Sequence, residues 1–182
     1  MSEEHFETFD RNGAPTGLVP RSRVHREGLW HRAANIFLFR PDGQLLLQRR
    51  HPGKDVWPGA WDLSVAEHLK PGETYLEAAL RGLREELGVV DVSLEPLGGV
   101  VASRIVDQHA GVHDCELQQA YRLVFEGAVS PDPEEVTATA EFTLEELARA
   151  FVRRPGDFTP WFRESVERLD LFSARTTGEP RP

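Results

Sequence analysis

The sequence is poor in cysteine, in lysine and in long apolar runs. Its one cysteine, Cys115, cannot close an internal disulfide. No apolar run approaches the roughly 20 residues that a membrane-spanning helix needs. The opening stretch MSEEHFETFD also has neither the basic start nor the apolar segment of a signal peptide. These absences predict a cytoplasmic protein that does not associate with membranes.

A basic stripe is absent as well. The formal net charge is -9, and only two of the 21 basic residues are lysines, Lys54 and Lys70. A protein that binds duplex nucleic acid without regard to sequence needs clustered positive charge to displace counterions from the phosphates. The composition therefore argues against duplex nucleic acid as a partner. A phosphate-containing ligand is expected to be a small molecule, bound locally or through a metal ion.

Length and composition predict one domain, since the chain has 182 residues and 40% hydrophobic content. We expect residues 1–172 to form it, with residues 1–30 as an N-terminal hairpin or extension packed on the rest and residues 173–182 as a flexible tail. The sequence does not decide the oligomeric state, and a homodimer is compatible with it.

Turn signals divide the chain into predicted strands. Asn12-Gly13 marks the turn of an N-terminal hairpin, and Pro41-Asp42-Gly43 joins the apolar runs AANIFLFR and LLLQRR in the strongest hairpin pattern of the chain. LGGVVASRIV and LQQAYRLVFEG are predicted as two further strands. The polar stretch DQHAGVHDCE between them, which carries His109, His113 and Asp114, is predicted as a solvated loop.

Capping signals predict three helices. Apolar residues at helical spacing follow Thr74 and stop at Gly88. Thr143 and Glu146 form a capping-box pattern before LEELARAFVRR. Thr159-Pro160 opens a last helix to about Phe172, since proline is favoured at the first helical position.

The helix after Thr74 has an acidic face that ends in Glu85 and Glu86. Two adjacent carboxylates that point into a cleft can hold a hard cation such as Mg²⁺. The alternative is an ordinary solvated face, because glutamate is a good helix former and is usually exposed. Composition alone favours the solvated face.

The spacing of these acids resembles the signature of the Nudix family, G-x5-E-x7-R-E-U-x-E-E-x-G-U, in which U is apolar. The matching residues are Glu73, Arg81, Leu83, Glu85, Glu86, Gly88 and Val89. The resemblance implies an α+β fold, a Nudix-like α/β/α sandwich with a mixed central sheet. Two positions depart from the signature: Glu67 stands in place of its first glycine, and Gly82 in place of the first acid of its glutamate cluster.

The resemblance also implies chemistry. Acids at i, i+3 and i+4 share one helix face, and in this family they converge on Mg²⁺ or Mn²⁺ that bridge a diphosphate. Glu85, Glu86 and Glu116 are accordingly the predicted catalytic residues and metal ligands. Because Gly82 lacks a carboxylate, we expect Gly82→Glu to restore a ligand and also to remove a glycine penalty of roughly 0.5 to 1 kcal/mol from the helix.

A second resemblance is to the isopentenyl diphosphate isomerase branch of the same superfamily, carried by LWHRAANIFLFRPDGQLLLQRR, KDVWPGAWDLS and EHLKPGE. It implies that His25, His31 and His68 join Glu86 and Glu116 in a metal site. Read as single residues, His25 fits an exposed position equally well and His31 a half-buried one. The isomerases use a cysteine where this chain has Ala66, and Cys115 is no substitute because it neighbours Glu116 on a strand and faces the other way.

Substrate binding is predicted for four residues, Arg50, Lys54, Trp57 and Arg81. Arg50 and Lys54 match the isomerase positions that grip a diphosphate, and the tryptophan is a candidate wall of the pocket. The predicted function is a metal-dependent hydrolase that cleaves the diphosphate linkage of nucleoside di- or triphosphates or their derivatives. An isomerase-like prenyl diphosphate enzyme and a catalytically impaired nucleotide-binding module are the alternatives.

Overall fold

The computed structural model describes residues 3–54, 56–107 and 111–173. The elements in chain order are β1 (His5–Phe9), β2 (Pro15–Pro20), α1 (Arg21–Glu27), β3 (Trp30–Phe39), β4 (Leu45–Arg50), β5 (Trp61–Asp62), β6 (Val65–His68), α2 (Tyr75–Leu87), β7 (Glu95–Asp107), β8 (Val112–Val124), β9 (Val136–Phe142), α3 (Leu144–Arg153), a short 3-10 turn (Pro155–Asp157) and α4 (Pro160–Arg168).

Strand β3 is the centre of a mixed sheet. Strand β8 runs parallel to it along its whole length, from the pair Trp30 and Cys115 to the pair Phe39 and Val124, and β7 pairs antiparallel with β8. The other edge of β3 meets β1 at its start, β6 in its middle and β4 at its end, all antiparallel. Strand β4 continues away from β3 and pairs with β5 and β9.

Both faces of β3 are buried, as its nearly continuous apolar sequence predicts. Ala34, Ile36 and Leu38 face a core formed with α2. Phe37 and Phe39 alternate with them and face a second core formed with α3 and α4. The predicted α/β/α sandwich with a mixed sheet is therefore confirmed.

The predicted caps of α2 and α3 are present. Thr74 accepts a hydrogen bond from the backbone N–H of Glu77, whose side chain accepts one from the Thr74 N–H, and Gly88 ends α2 in the left-handed conformation with φ 66°. Thr143 and Glu146 form the same reciprocal pair at α3. These local signals set where α2 begins and ends, and so fix where its acidic residues lie.

The structure differs from the sequence-based prediction in three places. Helix α1 was not foreseen, because it is short and has one buried residue, Val24, although Gly28 ends it in the left-handed conformation. The predicted loop DQHAGVHDCE is mostly strand, since β7 extends to Asp107 and β8 begins at Val112. Helix α4 ends at Arg168 rather than near Phe172.

Residues 174–182, most of the predicted flexible tail, lie outside the described residues, as does His109. Among the helices of the described ranges, none has the length and apolar character needed to span a membrane.

Candidate active site

A cleft of about 520 Å³ opens between β3, β6, β8, α2 and α4. Two groups of acidic and histidine side chains meet there. We call the first the histidine centre, and it consists of His25, His31, His68, Asp114 and Glu116. The second is the acidic end of α2, which carries Glu85 and Glu86 on the cleft wall. The structure thus brings together the metal ligands predicted from the helix and those predicted from the histidines.

The three histidines of this centre come from three elements, α1, β3 and β6. Their ring centroids are 4.9 to 5.5 Å apart. Phe6 of β1 packs against them, with its ring stacked on His31 at 5.3 Å and tilted on His68 at 4.7 Å. The N-terminal hairpin and helix α1, which the sequence analysis did not predict, therefore cover one side of the histidine centre.

Two carboxylates of β8 complete the centre. His68 Nε2 lies 3.1 Å from Glu116 Oε1, and His31 Nε2 lies 3.6 Å from both Glu116 Oε1 and Asp114 Oδ1. His25 Nε2 is 3.9 Å from Asp114 Oδ1. The Nε2 atoms of all three rings therefore converge on two carboxylates.

The environment of His31 fits a bound cation. Its Nδ1 lies 3.0 Å from the carbonyl oxygen of Leu29, which fixes the proton on Nδ1 and leaves Nε2 as a lone-pair donor toward the carboxylates. His31 is 1% exposed. Its Nε2 and the Oδ1 of Asp114 are buried and have no hydrogen-bond partner within the described part of the chain. Such atoms are costly unless a ligand satisfies them, and a divalent cation accepts both.

Burial keeps His25 and His31 in the neutral form that binds metals. Desolvation, reinforced by the nearby His68, lowers the pKa of His25 from 6.5 to about 3 and that of His31 to about 4. Burial also raises the pKa of Asp114, with Glu116 beside it as a second cause. Burial opposes ionisation of Glu116 too, but the hydrogen bond and charge of His68 outweigh it and lower the pKa of Glu116.

These shifts predict how the metal-free protein responds to acid. Between about pH 6.5 and about pH 4 the unfolded chain protonates His25 and His31 while the folded protein does not, so stability is lost as the pH falls through this window. We expect the melting temperature of the chelator-treated wild-type protein to fall further between about pH 7.5 and about pH 5 than that of the double variant His25→Gln/His31→Gln. Both proteins contain the same carboxylates. Equal falls in melting temperature would therefore contradict the assignment of the pH dependence to His25 and His31.

Glu116 is oriented by residues that the sequence analysis missed. Gln118, two residues along β8 on the same face, donates a hydrogen bond of 2.7 Å to Glu116 Oε2, and Arg168 of α4 donates one of 3.3 Å to Gln118 Oε1. Glu116 is 8% exposed. Outer partners of this kind hold ligating groups in place.

Both predicted acids of α2 lie on the cleft wall, with different surroundings. Glu85 is exposed and forms an ion pair with Arg81, which also pairs with Glu67 and Glu73. Glu86 is half-buried, and Gln48 of β4 donates a hydrogen bond of 2.7 Å to its Oε2. Burial raises the pKa of Glu86, and the nearby Glu67 raises it further. A cation near Glu86 would therefore stabilise the ionised form of its carboxylate.

Arg81 is bound on all sides by the protein itself. Its guanidinium donates two hydrogen bonds of 2.8 Å to Glu73, lies 2.8 Å from Glu67 and 3.4 Å from Glu85, and donates to the His68 carbonyl at 2.8 Å. The hydrogen bonds to Glu73 raise the pKa of Arg81. Its predicted contact with substrate stays a prediction, and the observed role is to join α2 to β6.

The predicted phosphate-binding cations, Arg50 and Lys54, line the same cleft as the acidic end of α2. Arg50 donates to the buried carboxylate of Asp62 at 3.1 Å, and Lys54 forms an ion pair with Glu135. Asp62 also accepts a hydrogen bond of 2.6 Å from the indole of Trp161, a residue that the sequence analysis did not single out. Both cations line the cleft, and substrate binding by them stays a prediction.

The aromatic wall differs from the expected one. Trp161 of α4 lines the cleft, and Trp57 packs edge-on behind it with ring centroids 5.2 Å apart. Trp161 therefore forms the aromatic wall of the cleft, and Trp57 packs against Trp161.

Cys115 faces away from the cleft, as expected. It lines a separate surface pocket with Arg104 and His113, whereas its neighbours Asp114 and Glu116 line the cleft. The floor of the cleft carries the methyl group of Ala66.

The NUDIX domain family matches residues 29–162. The chain is similar to the isopentenyl-diphosphate Delta-isomerase of Streptomyces griseus, with 38% identity over 158 residues that cover 86% of this chain and 79% of that protein. It is 50% identical over 91 residues to Nudix hydrolase 3 of Arabidopsis thaliana, a match that covers 49% of this chain and 12% of that protein. The crystal structure of DR0079 from Deinococcus radiodurans superposes with a TM-score of 0.71 and 26% identity, covering 91% of this chain and 99% of that one.

Proposed function

Since the chain belongs to the NUDIX domain family, we propose that it is a divalent-metal-dependent hydrolase that cleaves the diphosphate linkage of a nucleoside di- or triphosphate or of a related compound. The observation that carries the proposal is that one cleft is lined by the histidine centre, by the acidic end of α2 and by Arg50 and Lys54. Carboxylates suit Mg²⁺ or Mn²⁺ and neutral histidines suit divalent transition-metal ions, while arginine and lysine suit phosphate oxygens.

The residues present fit the cations. The histidine centre would hold one ion, as its two buried atoms without hydrogen-bond partners among the described residues indicate, and Glu85 and Glu86 would hold another. Bound there, such ions would offset the charge of the phosphate oxygens and acidify water.

The chain's own groups divide the remaining work. Glu116 stays ionised and fixed by Gln118, which suits a ligand. Glu86, whose pKa is raised by burial and by the nearby Glu67, suits the second ion because a cation would favour its ionised form. Arg50 and Lys54 bind the phosphates, and Trp161 keeps one side of the cleft dry.

Isomerisation of a prenyl diphosphate is the second candidate, because isopentenyl-diphosphate Delta-isomerases are 32–38% identical to this chain over most of its length. Moving a double bond requires a proton to be added at one carbon and removed at another. Ala66 cannot donate or accept a proton, and Cys115 opens onto a different surface. These two positions favour hydrolysis.

A substrate screen tests the proposal. Purified protein with Mg²⁺ or Mn²⁺ is incubated with nucleoside di- and triphosphates, nucleotide sugars and isopentenyl diphosphate, and the products are followed by mass spectrometry. We expect cleavage of at least one nucleotide, no dimethylallyl diphosphate, and no reaction with a chelator present. Formation of dimethylallyl diphosphate would establish the isomerase instead. Nucleotide binding without any turnover would identify an impaired binding module.

A further inference from the structure

The two departures from the Nudix signature touch each other. Helix α2 approaches β6 so closely at Gly82 that an ideal Cβ there would lie 2.8 Å from Val65 Cγ1 and 3.0 Å from Glu67 Cβ. Real Cβ atoms do not approach their neighbours to 2.8 Å without a shift in the structure, because cores are packed to crystal density. The space that a side chain at position 82 would need is already taken by the side chain of Val65 and the stem of Glu67.

The same stem directs the Glu67 carboxylate into the cleft. Its Oε2 lies 2.8 Å from Arg81 Nη1, and that nitrogen also lies 3.4 Å from Oε2 of Glu85. Glu67, Glu85 and Glu86 all line the cleft. A strand residue and two helix residues therefore present three carboxylates to one space.

We propose that Glu67 supplies from β6 the cation-binding carboxylate that α2 lacks at position 82. The inference rests on the proposed function, because it presumes a divalent cation at the end of α2. It explains both departures together: glutamate at 67 replaces the absent acid, and glycine at 82 makes room for it. The number of carboxylates facing the cation is thereby kept while their origin changes.

The neighbouring histidine centre indicates that this cleft binds cations, because the buried His31 has an Nε2 without a hydrogen-bond partner among the described residues. The surroundings of Glu86 point to a cation at the end of α2. Glu86 forms no ion pair within those residues, and its hydrogen bond comes from the neutral Gln48. A divalent cation near Glu67 would bring positive charge to Glu86 as well.

The competing explanation is that Glu67 only holds Arg81. The chain offers a matched control, since Glu73 binds Arg81 more fully, with two hydrogen bonds of 2.8 Å, and does not line the cleft. If holding Arg81 were what mattered, Glu73→Gln would harm cation binding at least as much as Glu67→Gln. A ligand role predicts the opposite order.

Titration of metal-free protein with Mn²⁺, followed by calorimetry and by the electron paramagnetic resonance of free Mn²⁺, separates the two. We expect two bound Mn²⁺ in the wild type. Glu67→Gln should weaken one of them by about tenfold or more, His31→Gln should weaken the other, and Glu73→Gln should leave both in place. Equal binding by Glu67→Gln and the wild type, or an equal loss in Glu73→Gln, would overturn the proposal.

Circular dichroism and melting temperatures check that each variant is folded. If Glu67→Gln does not fold, Glu67→Ser replaces it and the same comparison with Glu73→Gln decides. The measurement does not involve turnover, so the inference can stand if the chain hydrolyses none of the nucleotides tested, and it can fail in an active hydrolase.

Discussion

Glutamate at position 82 is expected to destabilise the protein and not to improve it. The new Cβ would press on Val65 and Glu67, and overpacking of this kind costs about 1 to 3 kcal/mol. The carboxylate would add a charge beside Glu67 in a half-buried space. The gain in helix propensity is roughly 0.5 to 1 kcal/mol, so the steric and electrostatic costs exceed it. The close approach of β6 therefore argues against the sequence-based expectation of a more stable helix.

Urea denaturation of Gly82→Glu and Gly82→Ala measures this effect, since alanine introduces the clash without the charge. Gly156→Glu is the control, because an ideal Cβ at that glycine meets no atom within 4 Å. We expect both variants at 82 to unfold at lower urea concentration than the wild type, glutamate lower than alanine, and the control to match the wild type. A Gly82→Glu protein that is more stable than the wild type and binds Mn²⁺ more tightly would restore the missing-ligand interpretation.

Replacing Glu86 with glutamine should remove most hydrolysis while leaving the protein at least as stable. Burial and Glu67 raise the pKa of Glu86, so its ionised form is disfavoured in the folded protein without a cation. A neutral amide relieves that cost and is close in shape. It cannot supply the charge that holds a hard cation, which predicts a rate loss of roughly 100-fold or more.

The rate and the melting temperature are measured on the same preparations of Glu86→Gln. Glu95→Gln is the matched control, because Glu95 is an exposed glutamate paired with Arg122 outside the cleft. The control should keep both values. Near-normal turnover of Glu86→Gln would contradict its assignment to the cation site, whereas a variant that loses activity only by unfolding would show a structural role.

The elements that the sequence predicted well are those with local signals. Helix α2 has its start in the reciprocal bonds of Thr74 and Glu77 and its end in Gly88, all readable within a short window. The α/β/α architecture followed from the order of these elements and from the resemblance. The positions of Glu85 and Glu86 on the cleft wall follow from the same helix.

The missed features depend on contacts between distant segments. Asp114 joins the histidine centre because β8 begins inside the predicted loop, where Asp114 pairs with Ile105 of β7. Nothing near Gly82 in the sequence reports that β6 lies against it. For Asp114 a usable signal existed, since it stands two residues before Glu116 and shares its face if both lie on a strand.

The parallel pairing of β3 with β8 determines when the histidine centre can exist. Residue 30 pairs with residue 115, and so the two strands meet only after the chain between them has closed a long loop. Pairing of this non-local kind is the slow part of folding. His31 and Glu116 come together only when these strands pair, so we expect a cation to find its ligands only after that step. Such a cation would lengthen the lifetime of the folded state by retarding unfolding, without hastening the formation of that state.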